Sequence, residues 1–246
     1  MNLKAESAKS GGWLFRWRSY LPLTLLVFIL PALRDYSYFM ELHTYDIMWK
    51  MLCLSVSFFG LLIRALTIGH TPKRTSGRNT KRQVADSLNQ TGMYSITRNP
   101  LYLGNFFMIL GVVMFAHHFW LTLVYALGFW LYYERIITAE EEFLAQKFGK
   151  EYEPYLKRTP AFMPNIKLWH KPELPFSFRT VLKREYSGFF GVIASLSALE
   201  FIGDYIVEGK IVFDPLWVSL FCFGLLVYLI LRTLKKTTRM LHVEGR

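Results

Sequence analysis

Long apolar segments constrain the fold of this chain more than any other feature of its sequence. Six can be drawn, at residues 20–33, 47–68, 101–117, 119–137, 188–207 and 215–231. Hydrophobic residues make up 52% of the chain and charged residues 19%, and this apolar surplus is too clustered for an ordinary soluble domain. The sequence therefore predicts an all-α, polytopic membrane helix bundle with about six transmembrane helices. Several segments are shorter than the ~20 residues that cross a bilayer, so their ends are loosely defined.

The distribution of lysine and arginine predicts the orientation of the bundle. With the N-terminus inside, 26 of the 29 basic residues fall in cytoplasmic segments, at residues 1–20, 64–100, 134–187 and 232–246. The outer loops 34–46 and 204–214 hold two basic and six acidic residues. Because basic residues are retained on the cytoplasmic side, we expect both termini there, together with a helical extension after the fourth span. The net charge of +11 is then explained by topology and anionic lipid headgroups, and no nucleic-acid partner is expected.

Three features with other possible meanings fit the membrane interpretation. The N-terminus resembles a secretory signal peptide, but no clear cleavage site follows it, and Arg34, Asp35 and several aromatic residues suit an uncleaved first span. Cys53 and Cys222 lie inside apolar segments, where neither a disulfide framework nor a metal site is expected. His117 and His118 form the tight turn between the third and fourth segments, where we favour an interfacial role over metal binding.

The stretch SITRNPLYLGN (95–105) places polar residues at the start of the third apolar segment. Asparagine is a good N-cap and proline is favoured at the first helical position, so Asn99 and Pro100 predict a helix start. Free backbone N–H groups, the helix dipole and the adjacent Arg98 could together bind an anion at the membrane surface. Arg98 could equally extend to a lipid phosphate, and this stretch alone does not separate the two interpretations.

A second informative stretch, residues 132–164, continues out of the fourth segment. At 100° per residue, Glu141 shares a face with Glu134, and also with Tyr152 if the helix runs unbroken past Gly149. A carboxylate on an apolar face beside a membrane needs a partner, which is either Arg98 or a bound cationic or hydroxyl-bearing ligand. Glu140 and Glu142 diverge from this face by about 100° and are expected to be solvated unless they bind a ligand.

These residues together resemble a known family. Tyr94 followed by RNPLYLG, then EExxL, FGxxYxxY and Pro164, is similar to the isoprenylcysteine carboxyl methyltransferase and phospholipid methyltransferase superfamily of integral membrane enzymes, over about residues 92–164. The resemblance implies methyl transfer from S-adenosylmethionine, at the cytoplasmic membrane surface, to a lipid or lipid-linked acceptor that enters between helices. Asn99 stands where the family has a histidine; it can cap a helix and donate a hydrogen bond, but it cannot carry a proton.

The resemblance also implies a set of site residues. The candidate catalytic residues are Arg98 and Glu141, and the candidate cofactor-binding residues are Tyr94, Asn99, Pro100, Tyr102, Glu140, Glu141 and Tyr152. Tyr155 is expected to be structural, and no metal is expected.

The same reasoning divides the chain into four parts. These are a cytoplasmic segment (1–19), two spans with a basic cytoplasmic loop (20–91), a methyltransferase-like core (92–164) and an interfacial stretch with two spans (165–246). Gly104 and Gly111 lie seven residues apart, which predicts close helix packing, and Gly149 predicts a bend. Glu200 could be a functional carboxylate within the membrane, but we favour a side chain that reaches the outer interface.

Two alternatives remain open from the sequence. Sterol-reductase-like NADPH enzymes also carry a Pro-x-Tyr-x-Gly block and a terminal tyrosine motif, although the EExxLxxxFG spacing favours the methyltransferase. A non-catalytic membrane scaffold could keep the same fold. The acceptor is undecided among a carboxylate, a phosphate and an amine; the basic charge favours an anionic one.

Overall fold

Helices are the regular structure throughout the described part of the chain. The computed structural model describes residues 13–17, 24, 26–41, 43–75 and 84–246, and no strand occurs among them. The helices are α1 (13–17), α2 (Leu26–Ala32), α3 (His43–Gly69), α4 (Met93–Ile96), α5 (Pro100–Met114), α6 (Phe119–Phe148), α7 (Tyr152–Arg158), α8 (Phe178–Glu208) and α9 (Pro215–Thr237). The all-α prediction is confirmed there. Most of the N-terminal segment, part of the first predicted span and much of the basic loop (76–83) lie outside the described residues.

Among the described residues, three helices are long and apolar enough to cross a membrane. They comprise residues Thr44–Gly69 of α3, all of α8 and all of α9. α5 is apolar but has 15 residues, a length of about 22 Å, whereas α6 has 30 residues and is less apolar. α8 begins ten residues before the predicted span at 188. The membrane character is therefore supported, and the count of six spans stays a prediction.

Glycines allow α3 and α5 to pack with their backbones almost in contact. A Cβ atom at Gly111 would lie 2.2 Å from the carbonyl oxygen of Cys53, and one at Gly104 would lie 2.8 Å from that of Gly60. Ser57 Oγ donates a hydrogen bond of 2.9 Å to the Met108 carbonyl across the same interface. The predicted packing role of Gly104 and Gly111 is confirmed, and the two helices run antiparallel.

α5 and α6 form the tight helical hairpin that the two histidines predicted. His117, at φ 60°, lies in the turn, and its Nδ1 is 3.1 Å from the Ser37 carbonyl oxygen. Farther along the hairpin, the rings of Phe106 and Phe129 are 5.1 Å apart, and Tyr125 donates a hydrogen bond to the Phe106 carbonyl. Aromatic packing therefore holds α6 against α5.

Two buried ion pairs join α3 to α8. Near the end of α3, Arg64 pairs with Glu185 at 2.7 Å; near its beginning, Lys50 pairs with Glu200 at 2.7 Å. The paired residues are fourteen positions apart on α3 and fifteen on α8, which corresponds to about 21 Å along antiparallel helices. We call the end of the bundle with Arg64 and Glu185 the motif end, and the end with Lys50 and Glu200 the far end.

Glu200 differs from its prediction. Its side chain is 4% exposed and pairs with Lys50, which also lies 2.5 Å from Asp46, so it does not reach the outer interface. A carboxylate removed from water is costly unless a cation compensates it, and Lys50 is that cation. The prediction was wrong because Lys50 lies 150 residues earlier in the chain, and a single helix reveals nothing about its neighbour.

Candidate active site

At the motif end, the segment that leads into α5 (92–98) lies beside the segment that follows α7 (160–170), and hydrogen bonds between the two hold the RNPLYLG block in place. Backbone hydrogen bonds of 2.9 Å run from Arg98 N–H to the Pro160 carbonyl, from Asn165 N–H to the Ile96 carbonyl, and from Gly92 N–H to the His170 carbonyl. Arg98 and Pro160 belong to the two separate motif blocks. The second block therefore folds back against the approach to α5.

Arg98 and Glu141 form an ion pair between the two motif blocks. Arg98 Nε donates to Glu141 Oε1 at 2.8 Å, and Nη2 lies 2.7 Å from the same oxygen. Nη1 donates to the carbonyls of Leu156 and Thr159, at the end of α7. Of the two partners expected for Glu141, Arg98 or a ligand, the structure therefore has Arg98. The guanidinium is largely occupied by protein groups, so an anion site at Arg98 stays a prediction.

The Glu141 carboxylate has a second oxygen that could receive a ligand. Both contacts with Arg98 use Oε1, and within the described part of the chain Oε2 accepts no hydrogen bond. The side chain is 23% exposed. Next to it, Glu140 Oε1 accepts a 2.7 Å hydrogen bond from the Tyr102 hydroxyl. Glu140 therefore has a protein partner and is not simply a solvated charge on the helix surface. Glu142 and Glu134 are both exposed, so the predicted face does not extend to Glu134.

The start of α5 confirms part of the capping prediction. Asn99 occupies the N-cap position and Pro100 begins the helix. The Asn99 side chain makes no cap hydrogen bond; its Nδ2 donates instead to the Ala161 carbonyl at 3.0 Å. The second motif block lies against this turn, and the side chain is oriented by its donation to Ala161 rather than by accepting a hydrogen bond from a backbone N–H of α5.

The tyrosines of the motif blocks lie around the ion pair. Gly149, at φ 47°, ends α6, so the predicted bend is confirmed and Tyr152 begins a separate helix. Tyr152 is nevertheless 1% exposed; burial raises the pKa of its hydroxyl, and the nearby Glu141 raises it further. Tyr155 donates a 2.9 Å hydrogen bond to the carbonyl of Tyr94, which lies in α4. Tyr155 therefore has the structural contact expected of it.

An open, polar cleft of 560 Å³ lies beside these motif residues. Its lining comprises Asp86, Ser87, Leu88, Gln90, Thr91, Phe148, Glu151, Arg158, His170 and Glu173. Glu151 precedes α7, which carries Tyr152, and Arg158 is the last residue of that helix; the His170 N–H donates to Ser95 Oγ in α4. Small-molecule sites commonly have volumes of about 300–1,000 Å³, so the cleft is large enough for a nucleoside-sized ligand.

Sequence reasoning missed a second polar group at the motif end. Arg64 and Glu185 form the ion pair described above, and Arg64 Nη1 also donates to Asn105 Oδ1 at 2.7 Å. Asn105 Nδ2 lies 3.4 Å from the Tyr133 hydroxyl. The available signal was the presence of charged residues within helices that are otherwise apolar, which in membrane proteins marks functional positions.

Comparisons with known proteins agree with the motif blocks. Residues 51–151 match the phospholipid methyltransferase family. The cobalt-zinc-cadmium resistance protein CzcN of Cupriavidus metallidurans is 38% identical over 48% of this chain and 49% of its own length. The protein-S-isoprenylcysteine O-methyltransferase of Schizosaccharomyces pombe is 37% identical over 35% of this chain and 37% of its own. That of Saccharomyces cerevisiae is 25% identical over 56% and 57%.

The chain thus spans about half or less of the length of its first curated relatives. No solved structure matches it. The apolar helices indicate a membrane protein, and its two joined motif blocks are similar to those of the methyltransferase class. More specifically, the matched residues resemble the isoprenylcysteine carboxyl methyltransferase and phospholipid methyltransferase superfamily. These matches do not favour the reductase alternative.

Proposed function

We propose that this protein is a membrane-embedded, S-adenosylmethionine-dependent methyltransferase that acts on a lipid or lipid-linked acceptor at the cytoplasmic face. The observation that carries the proposal is the direct contact between the two motif blocks, through Arg98 with Glu141 and Tyr102 with Glu140. The proposed topology is the multi-pass one with about six spans and both termini in the cytoplasm.

The residues at the motif end fit the proposed cofactor. S-Adenosylmethionine supplies a methyl group on a positively charged sulfur, together with an ammonium group and ribose hydroxyls. Glu141 Oε2 is available to accept a hydrogen bond from an ammonium or hydroxyl donor. The neighbouring cleft is lined by three carboxylates, Asp86, Glu151 and Glu173, and by one arginine, Arg158; this excess of negative charge favours a cationic ligand. Tyr94, Asn99 and Pro100 would form the wall of the pocket beside Arg98.

The side chains at this site would act by positioning and by control of charge. Methyl transfer from sulfur needs alignment of the acceptor atom with the breaking bond, and it gains little from an acid. Tyr102 holds Glu140, and Arg98 holds Glu141, so both carboxylates have defined places before a ligand arrives. Burial keeps the Tyr152 hydroxyl protonated, since its pKa is raised, so this residue adds no charge beside Arg98 and Glu141.

The acceptor is proposed to be an anion, and a prenylated cysteine carboxylate is favoured. A carboxylate is already ionised at neutral pH, so no proton has to leave when the new carbon–oxygen bond forms, whereas an amine must lose one. The relatives named isoprenylcysteine O-methyltransferases support the same choice. Phosphatidylethanolamine and phosphatidic acid represent the amine and phosphate alternatives.

The test measures methyl transfer by the purified protein in lipid nanodiscs. Methyl-labelled S-adenosylmethionine is supplied with N-acetyl-S-farnesylcysteine, phosphatidylethanolamine or phosphatidic acid, and labelled product is identified by mass spectrometry. We expect turnover with the carboxylate, and a loss of at least about a hundredfold in Glu141→Gln, because the uncharged amide no longer complements a cationic ligand. Glu142→Gln is the matched control, since Glu142 is exposed on the same helix.

The outcomes separate the remaining alternatives. Saturable binding of NADPH without binding of S-adenosylmethionine would support the reductase. Absence of turnover with all three acceptors, and of binding of either cofactor, would support the scaffold. Equal activity of Glu141→Gln and Glu142→Gln would move the site away from Glu141.

A further inference from the structure

Arg64 is fixed at the motif end by three hydrogen bonds to charged or amide groups. Nε donates to Glu185 Oε2 at 2.7 Å, Nη2 donates to Glu185 Oε1 at 2.8 Å, and Nη1 donates to Asn105 Oδ1 at 2.7 Å. The side chains of Arg64 and Glu185 are 12% and 4% exposed. A paired, two-pronged contact of this kind defines the position of the guanidinium as well as neutralising it.

Contacts continue from Arg64 to a carboxylate of the Glu–Glu block. Asn105 Nδ2 lies 3.4 Å from the Tyr133 hydroxyl, and the Tyr133 ring centroid lies 4.6 Å from that of Tyr102. Tyr102 in turn donates its 2.7 Å hydrogen bond to Glu140. Asn105 and Tyr102 are both on α5, one turn apart. Arg64 therefore orients the Asn105 side chain, and through it the positions of Tyr133, Tyr102 and the Glu140 carboxylate.

The glycine of the RNPLYLG block makes room for this arrangement. A Cβ atom at Gly104 would lie 2.5 Å from Cγ of Arg64 and 3.3 Å from its Cδ. The aliphatic part of Arg64 thus passes directly over Gly104 before its guanidinium reaches Asn105. The position of this glycine inside the motif is consistent with Arg64 being part of the site's support.

We propose that Arg64 is a positioning residue for the methyl-transfer site, and that Glu185 is the charge partner that keeps it in place. The proposal rests on the function proposed above. Glu185 lies on α8, outside the family match at residues 51–151, so the C-terminal helices would contribute to catalysis through this ion pair. Small displacements of supporting groups matter because transfer needs aligned atoms, and a misplacement of about 1 Å can cost about a hundredfold in rate.

The far end of the bundle provides a matched comparison. Lys50 and Glu200 join the same two helices, are also buried, and have the same closest distance of 2.7 Å. They lie about 21 Å away from Arg64 along α3, at the opposite end of the bundle from Tyr102 and Glu140. If Arg64 and Glu185 only hold α3 against α8, changes at the two ends will have the same kinetic effect.

The experiment compares Asn105→Leu, Arg64→Lys and Glu200→Gln with the wild-type protein in nanodiscs. The acceptor is whichever of the three lipids above is methylated; kcat and KM for S-adenosylmethionine are measured below every melting temperature. Asn105→Leu keeps the ion pair and removes the contacts of the Asn105 amide with Arg64 and with the Tyr133 hydroxyl. We expect kcat to fall at least about tenfold in Asn105→Leu and in Arg64→Lys, with KM changed by less than about threefold. For Glu200→Gln we expect a lower Tm and an unchanged kcat.

Two results would overturn the proposal while leaving the proposed function intact. One is an unchanged kcat in Asn105→Leu; the other is an equal fall in kcat in Glu200→Gln and Arg64→Lys. Failure of the wild-type protein to methylate any of the three lipids would instead refute the proposed function, and the role of Arg64 with it.

Discussion

Replacing Gly111 by alanine should separate α3 from α5 and lower the stability of the whole bundle. The added Cβ would lie 2.2 Å from both the Cys53 carbonyl oxygen and Ser57 Oγ. Ordinary contact needs about 3.4 Å, so the helices must move apart by roughly 1 Å, because a backbone carbonyl cannot rotate away as a side chain can. The same movement would strain the hydrogen bond from Ser57 to the Met108 carbonyl.

The size of the effect can be estimated from these contacts. Overpacking a close interface costs about 1–3 kcal/mol, and the loss of one hydrogen bond adds about 1 kcal/mol, for a total near 3 kcal/mol. In a chain of this size, that corresponds to a fall in Tm of about 6–12 °C. The measurement is thermal unfolding of the purified protein in detergent, followed by tryptophan fluorescence.

Gly128→Ala is the matched control for Gly111→Ala. Gly128 lies in α6, and within the described part of the chain no heavy atom beyond its chain neighbours and the adjacent helix backbone lies within 4 Å of a Cβ built there. Because alanine is the better helix former, this variant should be unchanged or more stable by up to about 1 kcal/mol. A Tm for Gly111→Ala equal to that of Gly128→Ala would refute the reasoning that glycines set the distance between α3 and α5.

Three further predictions concern stability. Lys50→Met should cost about 3–5 kcal/mol in thermal unfolding, because it strands the buried Glu200 carboxylate, and Lys50→Met with Glu200→Gln should recover part of that loss. Tyr155→Phe should cost about 1–3 kcal/mol by leaving the Tyr94 carbonyl without its donor, and an unchanged Tm would contradict the contact. Burial raises the pKa of Tyr38 from 10.0 to about 12. The contribution of this shift to stability is therefore complete below pH 10 and is lost as the pH rises to 12. Unfolding curves measured across this interval should show a smaller loss of stability in Tyr38→Phe than in the wild-type protein.

The sequence predicted contacts within and between the motif blocks better than those between distant helices. A carboxylate on an apolar face requires a partner, and the Arg98–Glu141 pair follows that requirement. The bend at Gly149 and the close packing at Gly104 and Gly111 likewise follow from local chemistry. These inferences needed only the helical period and the properties of single residues.

The missed features depend on which helices become neighbours. Helical periodicity defines the faces of α3 and α8, but it does not state that these faces meet, so the Arg64–Glu185 pair was not predicted. The Asn99 side chain was expected to cap its own helix, whereas it donates to Ala161, 62 residues away. In both cases the partner of the side chain is set by a contact between distant segments, which the local sequence does not reveal.

The two ion pairs between α3 and α8 also restrict how the chain can change in length. An insertion of one residue between Lys50 and Arg64 would rotate one cation by about 100° about the helix axis relative to the other and shift it by about 1.5 Å. No single placement of α8 could then satisfy both carboxylates. We therefore expect natural insertions and deletions to be accepted in the connection between α8 and α9 (209–214), and to be eliminated by selection within residues 51–63 and 186–199.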